Sequence, residues 1–563
     1  MSETYTSSNL KNSLSLIEDT RFYIFLALYF IALLLPAYWL DIMETTDARY
    51  AEIAREMLRN GDYITPFYNG IKHFHKPPLT YWMTAFGLDI FGVNGFGARF
   101  FPAVFSVMTL IYTRKTGFAL TGDRDKAQLS VLILASSLLF LIVSRVISTD
   151  IYLTFFTVAA LYYMFEQIYG SKTIKNALMT GIFFGLGFLT KGPIIFLFTL
   201  LPFLVVCFFD RDHRRAFGWL DWLLMLVMFV VVALPWYIAV VMANDGLLRY
   251  FLYDQTVERV ADAERFSRSQ PLYFFPLVIL GTFLPWLYYF FANIRNSNFV
   301  KGGWHIYLYV LVPFIVFECS ASKLATYILP FYPVMAVLAS GRAERPLIPK
   351  AIGYVFVFLG VLTALVPVFV DHLREFWMYI AGGAAAYVFL ITTLIEKKWF
   401  LRRYHFSVAA SLILLTLLIY GGMTFAGPYI KGYRLSGEDI NKFDPQGKYD
   451  IVIYSAFTPS LSFYVDRVVP IVFGKRREVQ FQQYDDYKNV WMNTNDELID
   501  YLNRRDEYIL FTYRKNVDRY IALTGDKCTL FSDRGEKKVA YFCKKGTRPG
   551  HEVRSADLYR YIP

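Results

Sequence analysis

Between residues 41 and 97 the chain sets acids, a lysine and aromatic rings beside apolar runs. The segment begins Glu44-Thr45-Thr46-Asp47-Ala48-Arg49-Tyr50-Ala51-Glu52-Ile53 and later reads His73-Phe74-His75-Lys76-Pro77-Pro78-Leu79-Thr80-Tyr81-Trp82. An ammonium and aromatic rings at headgroup level suit an anionic, lipid-borne substrate, the first pairing with phosphate and the second lying where lipid tails meet water. Pro77 and Pro78 should hold Lys76 extended, because proline fixes its own φ and restricts the residue before it. Asp47 has two open readings: a carboxylate that orients or deprotonates an acceptor, and an acid that stabilises the first turn of a helix. His73 and His75 could share a strand face and a metal. Without a third ligand they read as ordinary interfacial histidines, and a divalent metal stays unassigned and is not required.

Those residues need elements to hold them. Residues 47–58 read as a helix with Thr46 as N-cap and an apolar stripe of Tyr50, Ile53, Ala54 and Met57. Such a helix would lie along the membrane interface, with Arg49, Glu52, Arg55, Glu56 and Arg59 facing elsewhere. Tyr81 and Trp82 open a second interfacial stretch through Phe86, Ile90 and Phe91.

The 563-residue chain is 56% hydrophobic and 19% aromatic, more than soluble domains carry. Apolar runs recur at roughly 21–40, 98–118, 128–144, 150–168, 176–190, 192–209, 221–243, 271–293, 304–319, 324–341, 351–371, 376–395 and 405–427, about thirteen candidate spans of bilayer length. The polar first residues enter the first span with no small-residue cleavage site, so an uncleaved anchor is expected. The net charge of +11 is sorted by loop, with clusters such as Arg114/Lys115/Arg124/Lys126, Arg211/Arg214/Arg215 and Lys397/Lys398/Arg402/Arg403 in alternate connections. That positive-inside pattern puts these loops and the N-terminus in the cytoplasm, leaves no case for nucleic acid, and after thirteen crossings puts the C-terminus outside. The outer loops then hold Arg145, Asp150, Lys191, Asp254 to Arg268, and Glu318 to Lys323. Lys191 and Lys323 could snorkel to headgroups, but lysines against the sorting bias, gathered with Asp47 and Asp150, point to a shared site for negative charge.

From about residue 428 the composition becomes that of a soluble domain. Residues 451–454, 468–473 and 508–512 read as strands and 497–505 as a helix, giving a small α/β unit over 428–563. Residues 1–427 form the transmembrane domain, with 41–97 its first outer loop. Cys207 and Cys319 read as packing residues. Cys528 and Cys543 flank a hairpin signal at Ser532-Asp533-Arg534-Gly535 and are a disulfide candidate in an oxidising compartment.

Taken in order, Glu44 to Met57, Gly61-Asp62-Tyr63-Ile64-Thr65-Pro66 and Lys76-Pro77-Pro78-Leu79-Thr80-Tyr81-Trp82 resemble the first outer loop of the aminoarabinose transferase family. These enzymes modify lipid A and are related to the protein O-mannosyltransferases. The resemblance continues through Arg145-Val146-Ile147-Ser148-Thr149-Asp150, Gly187 to Pro193, Leu234-Pro235-Trp236, Tyr250, Glu258-Arg259 and Ser322 to Pro330. It implies a C-type, membrane-embedded, inverting glycosyltransferase in the bacterial inner membrane, with a polyprenyl-phosphate sugar as donor and lipid A or another envelope glycan or protein as acceptor. It places Asp47 at the acidic motif, Lys76, Arg259 and Tyr327 at positions that hold the donor phosphate, and Asp150 and Lys191 at further polar positions. Tyr81 and Glu44 join the substrate-binding candidates. The family motif has two adjacent acids, whereas Thr46 stands where the first is expected, so Asp47 acts alone or with Glu44. A phosphate acceptor is already anionic and needs no strong base, which suits the missing acid.

Two other readings compete. A protein O-mannosyltransferase-like enzyme would share the donor chemistry and differ in acceptor. A lipid or glycan transporter would also line its path with polar residues, but related halves are absent from the sequence, and the polar groups collect on one face.

Overall fold

The computed structural model describes residues 19–251, 270–341 apart from 321, 349–425 apart from 370, 432–535 apart from 475–480 and 482–483, and 537–546. Arg259, with the rest of 254–268, lies outside the described residues. The chain divides into two compact units. One comprises Met1–Trp39, Arg99–Pro235 and Val260–Gly422, the other Leu40–Ala98, Trp236–Arg259 and Met423–Pro563.

The first unit is helical. Among the described residues seven helices are long and apolar enough to cross a membrane: Asp19–Tyr38, Gly95–Thr121, Thr149–Tyr169, Trp219–Ala243, Lys350–Phe369, Leu373–Glu396 and Tyr404–Gly422. Phe274–Phe283 and Trp286–Ala292, bent by 110°, make an eighth if counted as one span. The chain is an integral membrane protein, since lipid-facing backbone must satisfy its hydrogen bonds within helices. Other expected spans are interrupted. Residues 128–144 break at Ser137 into two helices, 192–209 break at Thr199, and 324–341 enter through the 3-10 turn Ala325–Phe331. Apolar length marks these stretches in the sequence but carries no signal for their breaks, so thirteen counts apolar runs and not continuous helices.

Thr149–Tyr169 organises this unit. In its apolar window 89% of residues are buried, against 22% for Lys350–Phe369, so the first is enclosed by protein and the second is left to lipid. A short connection returns the chain into Ile174–Lys191, which makes the two helices an antiparallel pair. On the far side of Ile174–Lys191, Gly181 and Gly185 lie so close to the Met225 backbone and the Val232 side chain that a Cβ at either would collide. Small residues at such a crossing let two membrane helices approach closely.

The second unit contains the helices Thr46–Asn60 and Leu79–Phe91. Between them β1 (Phe67–Tyr68) and β2 (Ile71–Lys72) pair around Asn69 and Gly70. Both turn residues have positive φ, 53° and 76°, as a two-residue hairpin turn requires. A six-stranded sheet follows in the C-terminal segment: β3 (Asp450–Tyr454), β4 (Ile471–Val472), β5 (Trp491–Met492), β6 (Glu507–Tyr513), β7 (Lys527–Ser532) and β8 (Lys538–Lys544). Its order is β5-β4-β3-β6-β8-β7, parallel from β5 to β6 and antiparallel thereafter. The central strands β3 and β6 are buried runs, and their Val452, Tyr454 and Leu510 pack with Leu498, Leu502 and Tyr520, as parallel strands covered by helices do. The helix expected at 497–505 starts earlier, at Asn495, because Thr494 and Glu497 form a capping box. Cys528 and Cys543 stand opposite each other across β7 and β8 and are joined by a disulfide.

Candidate functional site

The antiparallel helix pair of the first unit brings two charges to one end. Asp150 is in the first turn of Thr149–Tyr169, where Ser148 caps the helix by accepting from the Asp150 amide. Lys191 is the last residue of Ile174–Lys191. An acid at a helix N-terminus and a cation at a C-terminus each suit the local dipole. The Lys191 ammonium donates to Asp150 Oδ1 at 2.5 Å, with side chains only 12% and 7% exposed. It also lies 4.5 Å from the centre of the Tyr327 ring, which the Ala325–Phe331 turn presents. Asp150, Lys191 and Tyr327 therefore form one cluster, an ammonium held between a carboxylate and a phenol ring. An ammonium so held still has N–H groups to offer an anion.

Neither of the two lysines behaves as a snorkelling chain. Lys323 is 3% exposed and donates to the Gln270 and Pro271 carbonyls at 3.3 and 3.1 Å. The Arg145 guanidinium is also buried, lying 4.0 Å from the centre of the Tyr420 ring with Nη2 directed at the Ala32 carbonyl.

In the second unit, Asp47 is buried in the first turn of Thr46–Asn60, and its Oδ2 accepts from the Met43 amide at 3.1 Å. The N-cap is Thr45 and not Thr46, and it makes no side-chain capping bond; the Asp47 carboxylate ties the entering chain instead. Lys76 is half-buried in a bend just ahead of Leu79–Phe91, whose N-cap is Pro78. Tyr81 is fully packed, its ring 5.1 Å from that of Tyr50. The rings of His73 and His75 lie 4.2 Å apart. Among the described residues no group of three His, Cys, Asp or Glu side chains is placed to hold a metal ion.

Most of the polar side of Thr46–Asn60 is covered by protein, Arg49 being half-buried and Arg59 exposed. Glu52, Arg55 and Glu56 are buried with the apolar stripe. Arg55 pairs with Glu52 and with Asp466, and the Glu56 carboxylate accepts from the Gly70 amide. Chain from the C-terminal segment covers this face, so its charges are matched internally. The same segment grips the approach to Asp47. Arg434 pairs with Asp41 at 2.7 Å, the Tyr464 hydroxyl accepts from the Ile42 amide, and Glu44 Oε1 accepts from the Ser460 amide and hydroxyl at 2.8 and 2.5 Å. Further on, the Arg49 guanidinium stacks on Phe457, and Asn69 exchanges two 2.7 Å bonds with the Val469 backbone. Oε1 of Glu44 is thus committed to Ser460, while the buried Oε2 has no hydrogen-bond partner among the described residues. Burial of its carboxyl, partly offset by the Ser460 bonds and by Lys538 and Arg49, pushes its pKa up to about 7. Burial and the neighbouring Glu52 push Glu56 up to about 8.

Ser460, Arg434, Tyr464 and Asn69 were not signalled by the sequence. Their partners lie some four hundred positions away, and no local pattern marks them.

The family model for dolichyl-phosphate-mannose-protein mannosyltransferases matches residues 19–244. A protein of Aquifex aeolicus with no assigned function is 29% identical over 468 residues, 79% of this chain and 86% of its own. The undecaprenyl phosphate-alpha-4-amino-4-deoxy-L-arabinose arabinosyl transferase of Shewanella sediminis is 33% identical over 330 residues, 56% of this chain. That match spans 58% of the transferase, little more than half its length. The crystal structure of ArnT from Cupriavidus metallidurans bound to undecaprenyl phosphate superposes with a TM-score of 0.77 at 20% identity, covering 93% of this chain and 98% of that one. In sequence the chain is thus similar to the aminoarabinose transferases and to the related mannosyltransferases, and in architecture it is a polytopic membrane protein with the C-type glycosyltransferase fold and a small C-terminal α/β sheet region.

Proposed function

We propose that this chain is an inverting glycosyltransferase that moves a sugar, 4-amino-4-deoxy-L-arabinose being the first candidate, from undecaprenyl phosphate to lipid A or another envelope acceptor. The reaction would take place on the outer face of the bacterial inner membrane, with the N-terminus in the cytoplasm and the region from about 428 outside. The observation that carries this reading is the Lys191 cluster in a chain with transferase relatives: a largely enclosed ammonium, fixed by Asp150 and backed by Tyr327, at the end of a helix pair.

A sugar on a lipid phosphate already has its leaving group, so catalysis reduces to stabilising charge on the departing phosphate and placing the acceptor. Lys76, Arg259 and the Tyr327 hydroxyl are assigned to the phosphate and Lys191, oriented by Asp150, to the developing charge. Asp47 is assigned to the acceptor, as its orienting group or, for a hydroxyl, as its base. Glu44 is better read as holding the Asp47 loop, because Ser460 takes its carboxylate.

Incubating purified protein with undecaprenyl phosphate-aminoarabinose and lipid A tests the proposal. The expected result is free undecaprenyl phosphate and a matching mass gain on lipid A, with both lost in Lys76→Ala protein that still folds and inserts. A transporter would release neither product, and that result would overturn the enzyme reading. The match of residues 19–244 to the mannosyltransferase model favours one second reading, transfer to a protein hydroxyl. Replacing lipid A by a serine- and threonine-rich peptide in the same assay separates the two.

A further inference from the structure

At the other end of Thr149–Tyr169 the first unit holds a second polar cavity. Tyr162 and Glu166 are 12 and 16 residues beyond Asp150, which puts them about 18 and 24 Å along the helix axis. The cavity, about 270 Å³, lies where this helix end meets Asp19, Arg114, Lys115 and Arg124. Asp19 opens the first span, Arg114 and Lys115 lie in the last two turns of Gly95–Thr121, and Arg124 opens Arg124–Ser136.

Its charges are not all matched. Arg114 is held by Asp19 at 2.5 Å and by the Phe22 ring. The nearby Asp123 is taken up by Lys126 and by capping its own helix. Lys115 lies over the Tyr112 and Tyr162 rings at 4.6 and 5.6 Å, and neither it nor Arg124 has a carboxylate partner among the described residues. Glu166 is likewise a lining carboxylate with no ion pair there. Ile111 and Phe118 add apolar wall, as a pocket at the end of membrane helices would need for the glycerol and acyl start of a lipid. The cavity therefore offers two cations for an anion, one carboxylate for a cation, and an apolar flank. A simple anion would leave Glu166 opposed to it, whereas a headgroup with both charges satisfies all three.

We propose that this cavity binds a phosphoethanolamine group, with phosphate on Lys115 and Arg124 and ammonium on Glu166, supplied by a glycerophospholipid. The site is separate from the transfer chemistry and does not depend on it.

Native mass spectrometry of the purified full chain in detergent tests this, with phosphatidylethanolamine, phosphatidylglycerol and free phosphoethanolamine added in turn. Wild-type protein should retain phosphatidylethanolamine about tenfold more tightly than phosphatidylglycerol, a difference of about 1.4 kcal/mol. Glu166→Gln should abolish that preference while keeping phosphatidylglycerol binding. Lys115→Ala with Arg124→Ala should lower retention of both lipids, whereas the single variant Lys115→Arg, which keeps the cation, should retain both. Displacement of bound lipid by free phosphoethanolamine would support the headgroup chemistry and identify a soluble ester as a ligand. No displacement would support the lipid. Equal retention of both lipids by wild type, or retention unchanged in the double variant with an unaltered thermal transition, would overturn the proposal.

Discussion

Asp150 and Lys191 are a unit, and their single and double variants should show it. With the 2.5 Å bond gone, the surviving partner is a poorly solvated charge without its counter-ion. Asp150→Ala and Lys191→Ala are each expected to cut turnover by about 100-fold or more, and the double variant no further, because residues acting together lose their effect once. Undecaprenyl phosphate release from purified variants checks this; effects that multiply would show two independent roles. Glu44 supports a prediction of another kind. Its pKa rises on folding from an ordinary 4.5 to about 7, so the folded protein holds this proton more tightly than the unfolded chain. The resulting stabilisation is greatest below about pH 4.5 and is lost as pH rises through 7. Glu56, pushed up to about 8, acts in the same direction. Thermal stability should therefore decline between pH 5 and 8, and Glu44→Gln should flatten part of that decline. A slope unchanged in the variant would remove Glu44 as its source. Asp150 and Lys191 were legible because their types conflict with their surroundings: an acid and a lysine at the ends of apolar runs ask for partners. The bond that ties Glu44 to Ser460 was not legible, since only the fold brings Ser460, 416 positions away, onto its carboxylate.

At the scale of elements, the helix carrying Asp47 owes its position to strands and helices from the far end of the chain. Asn69 tests this. It sits at the hairpin tip with φ of 53°, fully buried, and replaces water for both the N–H and C=O of Val469. Asparagine tolerates that backbone conformation better than alanine. Asn69→Ala removes both bonds and leaves two buried backbone groups unmatched, a cost of about 2–4 kcal/mol. A lower thermal transition is expected, with turnover falling as the Asp47 helix loosens; Asn69→Asp should restore only the bond to the Val469 amide. An unchanged transition would mean the hairpin is held by other contacts. Elements with a local cause were readable beforehand. The buried β3 and β6 runs announce themselves within a few residues, and the helix Asn495–Asn503 was expected from 497 on, its start at the Thr494–Glu497 capping box being missed. β4 falls within the run 468–473 expected as a strand but keeps only two residues, whereas β5, also of two residues, is too short for a period and exists because β4 pairs with it. That protein covers most of the polar face of Thr46–Asn60 was not legible, because amphipathicity reports that a face is polar, not what lies against it.

For the molecule as a whole, the arrangement in the membrane is the property that the proposed reaction depends on, because the proposed envelope acceptor would be reached only from the outer face. The charge pattern commits to an orientation. Lys172 precedes and Lys175 lies in the first turn of the helix Ile174–Lys191, and the positive-inside bias favours a cytoplasmic side for lysines so placed because translocating them is costly. The domain with the sheet follows the last apolar helix, Tyr404–Gly422, and carries the Cys528–Cys543 disulfide, which persists in an oxidising compartment. Both observations favour an outer location for the sheet. In a background with Cys207 and Cys319 replaced by serine, a cysteine at exposed Lys515 should react with a membrane-impermeant maleimide on intact spheroplasts. One at exposed Lys175 should react only after the membrane is opened. Labelling of both positions from outside, or of Lys175→Cys alone, would invert the topology. It would move the Asp150 and Lys191 end of the helix pair to the cytoplasmic side, where a lipid A acceptor on the outer face could not meet it, and the proposed acceptor would fall with it.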